Sequence, residues 1–324
     1  MGSDTFSVPS LEVCLAKADV LAVYTQPDRP AGRGRKRLLC TPVRELAAEK
    51  GLRIEQPERF DKQNCETLRG FGADLTVVAA HGALLPKAAL ATARVDSINV
   101  HASLLPRHRG AAAVAAAILV GDSRAGVTVM KLRPELDAGE IICIAERGRA
   151  QAATPIRDDD TTGSLTARLA TMGGDLLADV LTAYADRSVT YEAQDETLAT
   201  YAPMLSKADG RIDWSRSAEQ VVRHVRAMTP WPGAFSELHS SEGPAMRIIV
   251  LAVRAQSECP GGTPGDVTVP DGSRLLVTAG QGCVELVELK PAGRNAMRAA
   301  EFLLGRNVVR NAQKPGGGCR FGPA

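Results

Sequence analysis

Asn99 and His101 stand two residues apart in the run Ile98-Asn99-Val100-His101-Ala102-Ser103-Leu104-Leu105-Pro106. Leu136-Asp137-Ala138-Gly139 follows, with Asp137 36 residues after His101. Alternate side chains of a strand leave by one face, so a strand over 97–101 presents the amide and the imidazole together. The amide is a hydrogen-bond donor, and histidine is the side chain that ordinarily titrates near neutrality. A carboxylate at Asp137, delivered by a glycine-containing turn, would orient that imidazole and stabilise its cation. These are the groups that hold an oxyanion and move a proton during acyl transfer. An Asn-x-His pair alone is as easily an ordinary buried strand, so its surroundings must decide.

Up to about residue 186 strand and helix signals alternate. Apolar runs predict strands over 20–25, 74–80, 97–101, 127–132 and 141–145, and the last two can pair around the Asp137 turn. Helices are predicted over 42–50, with a proline at its start, 62–71 and 111–119. A longer helix spans 161–185, where Leu165, Leu169, Met172, Leu176 and Val180 recur at helical spacing. Such alternation implies an α/β domain with a mainly parallel sheet. Beyond it a polar, extended stretch containing 194–202 reads as a linker. One helix over 217–228 and short strands over 234–238, 246–255, 265–269, 275–278 and 283–290, separated by Gly and Pro turns, suggest a small β-barrel. The Gly-rich end, 314–324, reads as disordered. The expected organisation is a catalytic domain at 1–189, a linker at 190–208, a barrel at 209–312 and a disordered tail at 313–324.

The 324-residue chain has room for two domains. Its 44% hydrophobic and 23% charged residues are those of an ordinary globular protein. No apolar run is long enough to span a bilayer, and no signal peptide opens the chain. The net charge of +2 does not mark a nucleic-acid binder, so any RNA contact must rest on local basic clusters. The seven cysteines are odd in number and form no C-x-x-C pair, which reads as reduced thiols. No histidine or cysteine spacing suggests a metal site. Arg29, Arg33, Arg35, Lys36 and Arg37 place five cations within nine residues, interrupted by Gly32 and Gly34. Most charge runs are solvated loops; the alternative is a finger that meets phosphates. Trp214 and Trp231 suit base stacking or, more simply, anchoring of a domain interface.

Asn99-Val100-His101-x-Ser103-Leu104-Leu105-Pro106-x-x-Arg109-Gly110-Ala111-Ala112 resembles the signature of the folate-dependent formyltransferases, with the later Asp in a Leu-Asp-x-Gly turn. The likeness extends through 24–36, 195–202, Leu205-Ser206-Lys207, 211–215, Pro230-Trp231-Pro232-Gly233-Ala234 and Pro291-Ala292-Gly293-Arg294. It narrows to the members that act on tRNA. The resemblance implies a doubly wound, mainly parallel Rossmann-like sheet followed by an OB-like barrel. It implies formyl transfer from 10-formyltetrahydrofolate to the α-amine of methionyl initiator tRNA, for translation initiation. Asn99, His101 and Asp137 are then catalytic. Ser103, Leu104, Leu105 and Pro106, with His81 and Gly82, line the folate pocket through apolar side chains and free backbone groups. Arg33, Arg35, Lys36, Arg37 and Lys207 meet the tRNA, and Arg33 matches the family's key arginine. A monomer in the cytoplasm, or in an organelle matrix or stroma, is expected, with no metal and no membrane.

Several positions depart from the family. His81 stands where an aromatic is usual, Ala113 and Ala115 replace Pro and Gln, and Ala138 replaces Thr. These bear on efficiency and substrate fit more than on reaction type. The chain opens at Met1-Gly2-Ser3-Asp4-Thr5-Phe6, where the family shows an apolar strand leading into Met-Gly-Thr-Pro-x-Phe. A sheet lacking its first strand, with neighbouring strand edges exposed, is therefore expected, as is a start site assigned too late or a truncated chain. A formyltransferase for a small amine (a glycinamide nucleotide or amino sugar) and a non-catalytic tRNA-binding relic remain as alternatives. The second half of the chain argues against the first and the intact trio against the second.

Overall fold

The computed structural model of the protein describes residues 1–31, 37–145, 147–240, 243–304 and 319–322. The chain forms two compact units. One comprises Met1–Ala117, Ser123–Ile156 and Ser164–Met204, and the other Ile118–Asp122, Arg157–Gly163 and Leu205–Ala324. No helix among the described residues is long and apolar enough to cross a membrane.

The first unit opens with Met1–Gly2 and helix α1 (Val8–Lys17), which the sequence reading did not anticipate. Strand β1 (Val23–Tyr24) leads into a hairpin of β2 (Arg29–Ala31) and β3 (Arg37–Leu39). Helix α2 (Pro42–Glu49) begins as expected, its Thr41 side chain accepting from Arg44 N and Pro42 filling a position that needs no donor. Strand β4 (Ile54–Glu55), helix α3 (Lys62–Gly70), strand β5 (Leu75–Ala79), helix α4 (Lys87–Leu90) and strand β6 (Asp96–His101) follow. Then come α5 (Ala113–Val120), β7 (Arg124–Lys131), β8 (Ile141–Ile144), β9 (Gly148–Arg149), β10 (Gln151–Pro155), α6 (Thr162–Ala185) and β11 (Val189–Glu192).

Pairing is parallel for β4 with β1 and for β5 with β6. Beyond β6 it turns antiparallel, through β7 and β8 to β11. Met1–Gly2 lies between the two parallel pairs. Gly2 N donates to Tyr24 O at 2.9 Å, Ala79 N donates to Met1 O at 3.0 Å, and Gly2 bridges Ala79 in parallel. Ahead of these two residues, β1 and β5 flank a cavity of about 960 Å³ lined also by Leu11 and Cys14 of α1, Leu68, Phe71 and Tyr184. The N-terminal ammonium is buried at its edge and donates to Val77 O at 2.6 Å.

Helix α6 fixes the middle of the sheet. A Cβ built at Gly173 would come within 3.0 Å of Val100 Cγ1 and 3.4 Å of Val127 Cγ1, so a glycine lets the helix lie close on β6 and β7. The N-terminal end of β6 is tied down by the buried carboxylate of Asp96, which accepts from Tyr184 Oη at 2.9 Å and from Tyr191 Oη, and pairs with Lys131. A charge taken out of water needs such partners.

Three expectations are corrected here. Residues 190–204 are not a free linker, because β11 pairs with β8 and the rest belongs to the first unit. In the second unit, helix α7 (Ala218–Ala227) carries a Ser217–Gln220 capping box. Around it strands β12 (Ala234–Ser240), β13 (Gly243–Gln256), β14 (Val267–Thr268), β15 (Leu275–Thr278), β16 (Cys283–Pro291) and β17 (Met297–Arg298), helix α8 (Ala299–Leu304) and strand β18 (Arg320–Gly322) complete the chain. The sheet order is β14-β15-β16-β13-β12-β18. The expected disordered tail thus contains a strand. It closes the barrel, since Val267 N donates to Cys319 O and Phe321 N to Gly265 O, and Phe321 is buried. Gly265 permits this approach: φ is +97° and a Cβ would sit 2.1 Å from Phe321 O. Finally, the thiols are not all reduced. Cys259 and Cys283 form a disulfide with a Cα–Cα distance of 5.5 Å, brought together by the pairing of Gln256 with Cys283 at the end of β13.

Trp214 is buried within the second unit, its Nε1 donating to Ser236 Oγ at 3.0 Å and its ring against Phe321. It is a core residue, not an interface anchor. Trp231 is exposed.

Candidate active site

Strand β6 is buried along its whole length and carries Asn99 and His101 opposite Met130 and Thr128 of β7. The Asn99 amide has no hydrogen-bond partner among the described residues and is not sealed from solvent. It is a donor held on a rigid strand and open to a ligand. His101 is held at both ring nitrogens. Its Nε2 faces His108 O at 3.0 Å, a contact that requires Nε2–H, and its Nδ1 lies 3.6 Å from Asp137 Oδ2.

Asp137 sits in the turn between β7 and β8 with φ +49°, a left-handed conformation that Asp tolerates better than most residues. Gly110 N donates to its Oδ2 at 2.8 Å. The side chain of Gln194 donates to Asp137 O at 2.8 Å and to Gly139 O at 2.7 Å. Gly139 is required by space, since a Cβ there would lie 1.7 Å from Lys131 O. The structure therefore sets Asp137 against His101, with Asn99 two positions earlier on the same strand, and adds Gly110 and Gln194 around Asp137.

The Ser103–Pro106 segment leaves the same end of β6. Leu105 is buried, but its backbone is already engaged: Leu105 N donates to Thr128 Oγ1 at 3.1 Å, and Leu105 O accepts from Gln151 Nε2 at 2.8 Å. Ser103 O accepts from Thr128 and Pro106 O from Thr200. The free backbone groups expected for a pteridine are thus largely taken up within the protein. His81 and Gly82 follow β5 and emerge beside the end of β6, because the two strands pair in parallel with Ala79 opposite Val100. The His81 ring is buried edge-on to Phe60, and its carbonyl accepts from Ser3 Oγ and Gln26 Nε2. Burial, with the nearby N-terminal ammonium adding to it, lowers the His81 pKa to about 4.

Of the basic finger, Arg33, Arg35 and Lys36 lie outside the described residues. Arg37 opens β3, opposite Ala31 of β2. That hairpin follows β1, which pairs in parallel with β4. Lys207 is exposed in the second unit, at the start of a short 3-10 helix, Ala208–Gly210.

Sequence reasoning missed the roles of Arg109 and Gln194. Arg109, 1% exposed, donates through Nε and Nη2 to Gln194 Oε1 and makes a two-pronged ion pair with Glu196. That pair raises the already high pKa of Arg109. The signal present was a long cation beside a glycine in the Arg109-Gly110 pair; its partners, 85 and 87 residues away, left none.

A sequence model of the formyl transferase family matches residues 10–181, and one of the formyl transferase C-terminal domain matches 204–307. The chain is 42% identical over 310 residues to a protein of Halorhodospira halophila named methionyl-tRNA formyltransferase, covering 95% of this chain and 96% of that one. It is 40% identical over 304 residues to the protein of that name from Methylococcus capsulatus, covering 93% and 94%. Among solved structures, an N-formyltransferase from Helicobacter canadensis in complex with folinic acid and dTDP-3-aminofucose superposes with a TM-score of 0.63 at 15% identity, over 88% of this chain and 96% of that one. HypX from Aquifex aeolicus in complex with tetrahydrofolic acid gives 0.55 at 17% identity, over 79% of this chain and 43% of that one. These two share the fold. With both of its units matched and near full-length likeness to proteins of that name, the chain belongs to the formyl transferase family, on its methionyl-tRNA formyltransferase branch.

Proposed function

We propose that the protein transfers a formyl group from 10-formyltetrahydrofolate to the α-amino group of methionyl initiator tRNA. The observation that carries this reading is the Asn99 amide, without a partner among the described residues, on the strand that also presents the His101–Asp137 pair, at the C-terminal end of parallel strands where α/β sheets bind ligands. The near full-length identity to methionyl-tRNA formyltransferases supports the choice of acceptor.

The neutral amine attacks the formyl carbon and a new C–N bond forms. The carbonyl π pair moves onto oxygen, and Asn99 Nδ2–H donates to that oxyanion. The His101 Nε2–H becomes a second donor once the ring leaves the His108 carbonyl, with Asp137 supplying the countercharge at Nδ1. The attacking nitrogen loses a proton, relayed by Asp137 or water. Collapse of the intermediate breaks the bond to N10 of the folate, which takes up a proton and departs as tetrahydrofolate. A preorganised donor such as Asn99 Nδ2–H is worth roughly 3–4 kcal/mol at the transition state.

Leu104, Leu105, Pro106, His81 and Gly82 lie at the strand ends around this point and form the folate pocket in this reading. In the same reading Arg33, Arg35, Lys36, Arg37 and Lys207 meet the tRNA phosphates, and the protein acts as a monomer. The test is formyl transfer from 10-formyltetrahydrofolate offered in parallel to methionyl initiator tRNA, glycinamide nucleotide and amino sugars. Transfer to the tRNA alone is expected. Preference for a small amine, or no transfer at all, would overturn the reading.

A further inference from the structure

We propose that Gln194, clasped by Arg109, is a positioning residue that holds the Asp137 turn against His101; the inference rests on the formyl-transfer reading above. The carboxamide of Gln194 has no spare hydrogen-bonding capacity. Both N–H groups are spent on Asp137 O at 2.8 Å and Gly139 O at 2.7 Å, and its oxygen receives Arg109 Nε at 3.1 Å and Nη2 at 2.8 Å. An amide offers two donors and an oxygen with two lone pairs, so all four places are filled. Its orientation is forced, because a guanidinium can only donate and a carbonyl can only accept.

Asp137 is thereby held from two sides, and both lead to Arg109. Its main-chain carbonyl is held by Gln194, which Arg109 grips. Its carboxylate is held by Gly110 N, the neighbour of Arg109 in sequence, at 2.8 Å. Arg109 itself is fixed at the backbone, where Arg109 N donates to Thr200 O at 2.8 Å and Ala202 N donates to Arg109 O at 2.7 Å. The polar segment 194–202 is therefore a strap across the catalytic turn. A turn whose aspartate has φ +49° gains from such external bonds, since that conformation does not hold itself.

The decisive variant is Gln194→Glu. It keeps the oxygen that faces Arg109 and replaces both donors with an acceptor set against two carbonyls. The expected result is a kcat about 10- to 100-fold lower, as for a displacement near 1 Å at a reacting group, with KM for folate and tRNA within about twofold. In an Asp137→Ala background the same substitution is expected to cost no more than about twofold, because its effect passes through Asp137. Hydrogen exchange at the Gly110 amide is expected to rise about tenfold or more while Val100 stays protected. Gln194→Met removes the same donors without a buried carboxylate and serves if the glutamate variant does not fold. Unchanged Gly110 protection with unchanged kcat, or a full further loss in the Asp137→Ala background, would overturn the proposal. If wild type transfers no formyl group at all, the formyl-transfer reading fails, and the Gly110 exchange rate still decides whether Gln194 holds the turn.

Discussion

Replacing Gly139 with alanine perturbs the candidate site without touching any of its chemical groups. A Cβ at this position would lie 1.7 Å from Lys131 O, whereas real Cβ contacts essentially never fall below 3.0 Å. Relieving the overlap takes a displacement of about 1.3 Å. The strand does not yield easily, since Lys131 pairs with Ile98 of β6 and its N–H donates to Glu140 O at 2.8 Å. The turn carrying Asp137 must move instead. His101 Nδ1 and Asp137 Oδ2 are already 3.6 Å apart, so a shift of this size away from β6 opens them towards 5 Å, beyond ion-pair range. Misplacing a reacting group by about 1 Å costs roughly a hundredfold in rate. Overpacking costs about 1–3 kcal/mol in stability. Single-turnover formylation is expected to slow about a hundredfold at a temperature where thermal unfolding shows the variant fully folded. A Gly139→Ala protein that formylates at the wild-type rate would refute the claim that this turn sets the geometry of His101.

Two further outcomes are expected. Neutralising Arg33, Arg35, Lys36 and Arg37 should flatten the salt dependence of tRNA binding, because fewer counterions are released, and leave folate affinity unchanged; an unchanged slope would mean that this basic run does not contact the RNA. His81 has a pKa of about 4 in the fold against an ordinary 6.5, so the unfolded chain takes up its proton first as pH falls. Stability of about 3 kcal/mol is then lost progressively between about pH 6.5 and 4, and denaturant titrations should show that slope weakened in His81→Phe.

Local signals served well where one element decided the outcome. Thr41-Pro42, Asp61 and Ser217 cap helices that begin within a residue or two of where the sequence places them. The all-buried β6 appears as a short apolar run with Asn99 and His101 on alternate positions. Features that depend on distant partners were not legible. Arg320–Gly322 is three residues in a Gly-rich end, yet Phe321 fills the barrel core. Cys259 and Cys283 meet only through the register of β13 and β16, 24 residues apart in sequence. Gln194 reads as polar linker because its four bonds all go to residues more than 50 positions away.

In the proposed reaction Asn99, His101 and Asp137 stabilise and discharge the tetrahedral intermediate of formyl transfer. Its most direct measurement is the single-turnover rate from 10-formyltetrahydrofolate to methionyl initiator tRNA for wild type and for Asn99→Ala, with folate and tRNA affinities measured alongside. Asn99 is a donor with no partner among the described residues, so its loss leaves no described group unpaired. The Asn99→Ala rate is expected to be lower by about a hundredfold or more, with both affinities and the melting temperature essentially unchanged. A rate within a few-fold of wild type would contradict it.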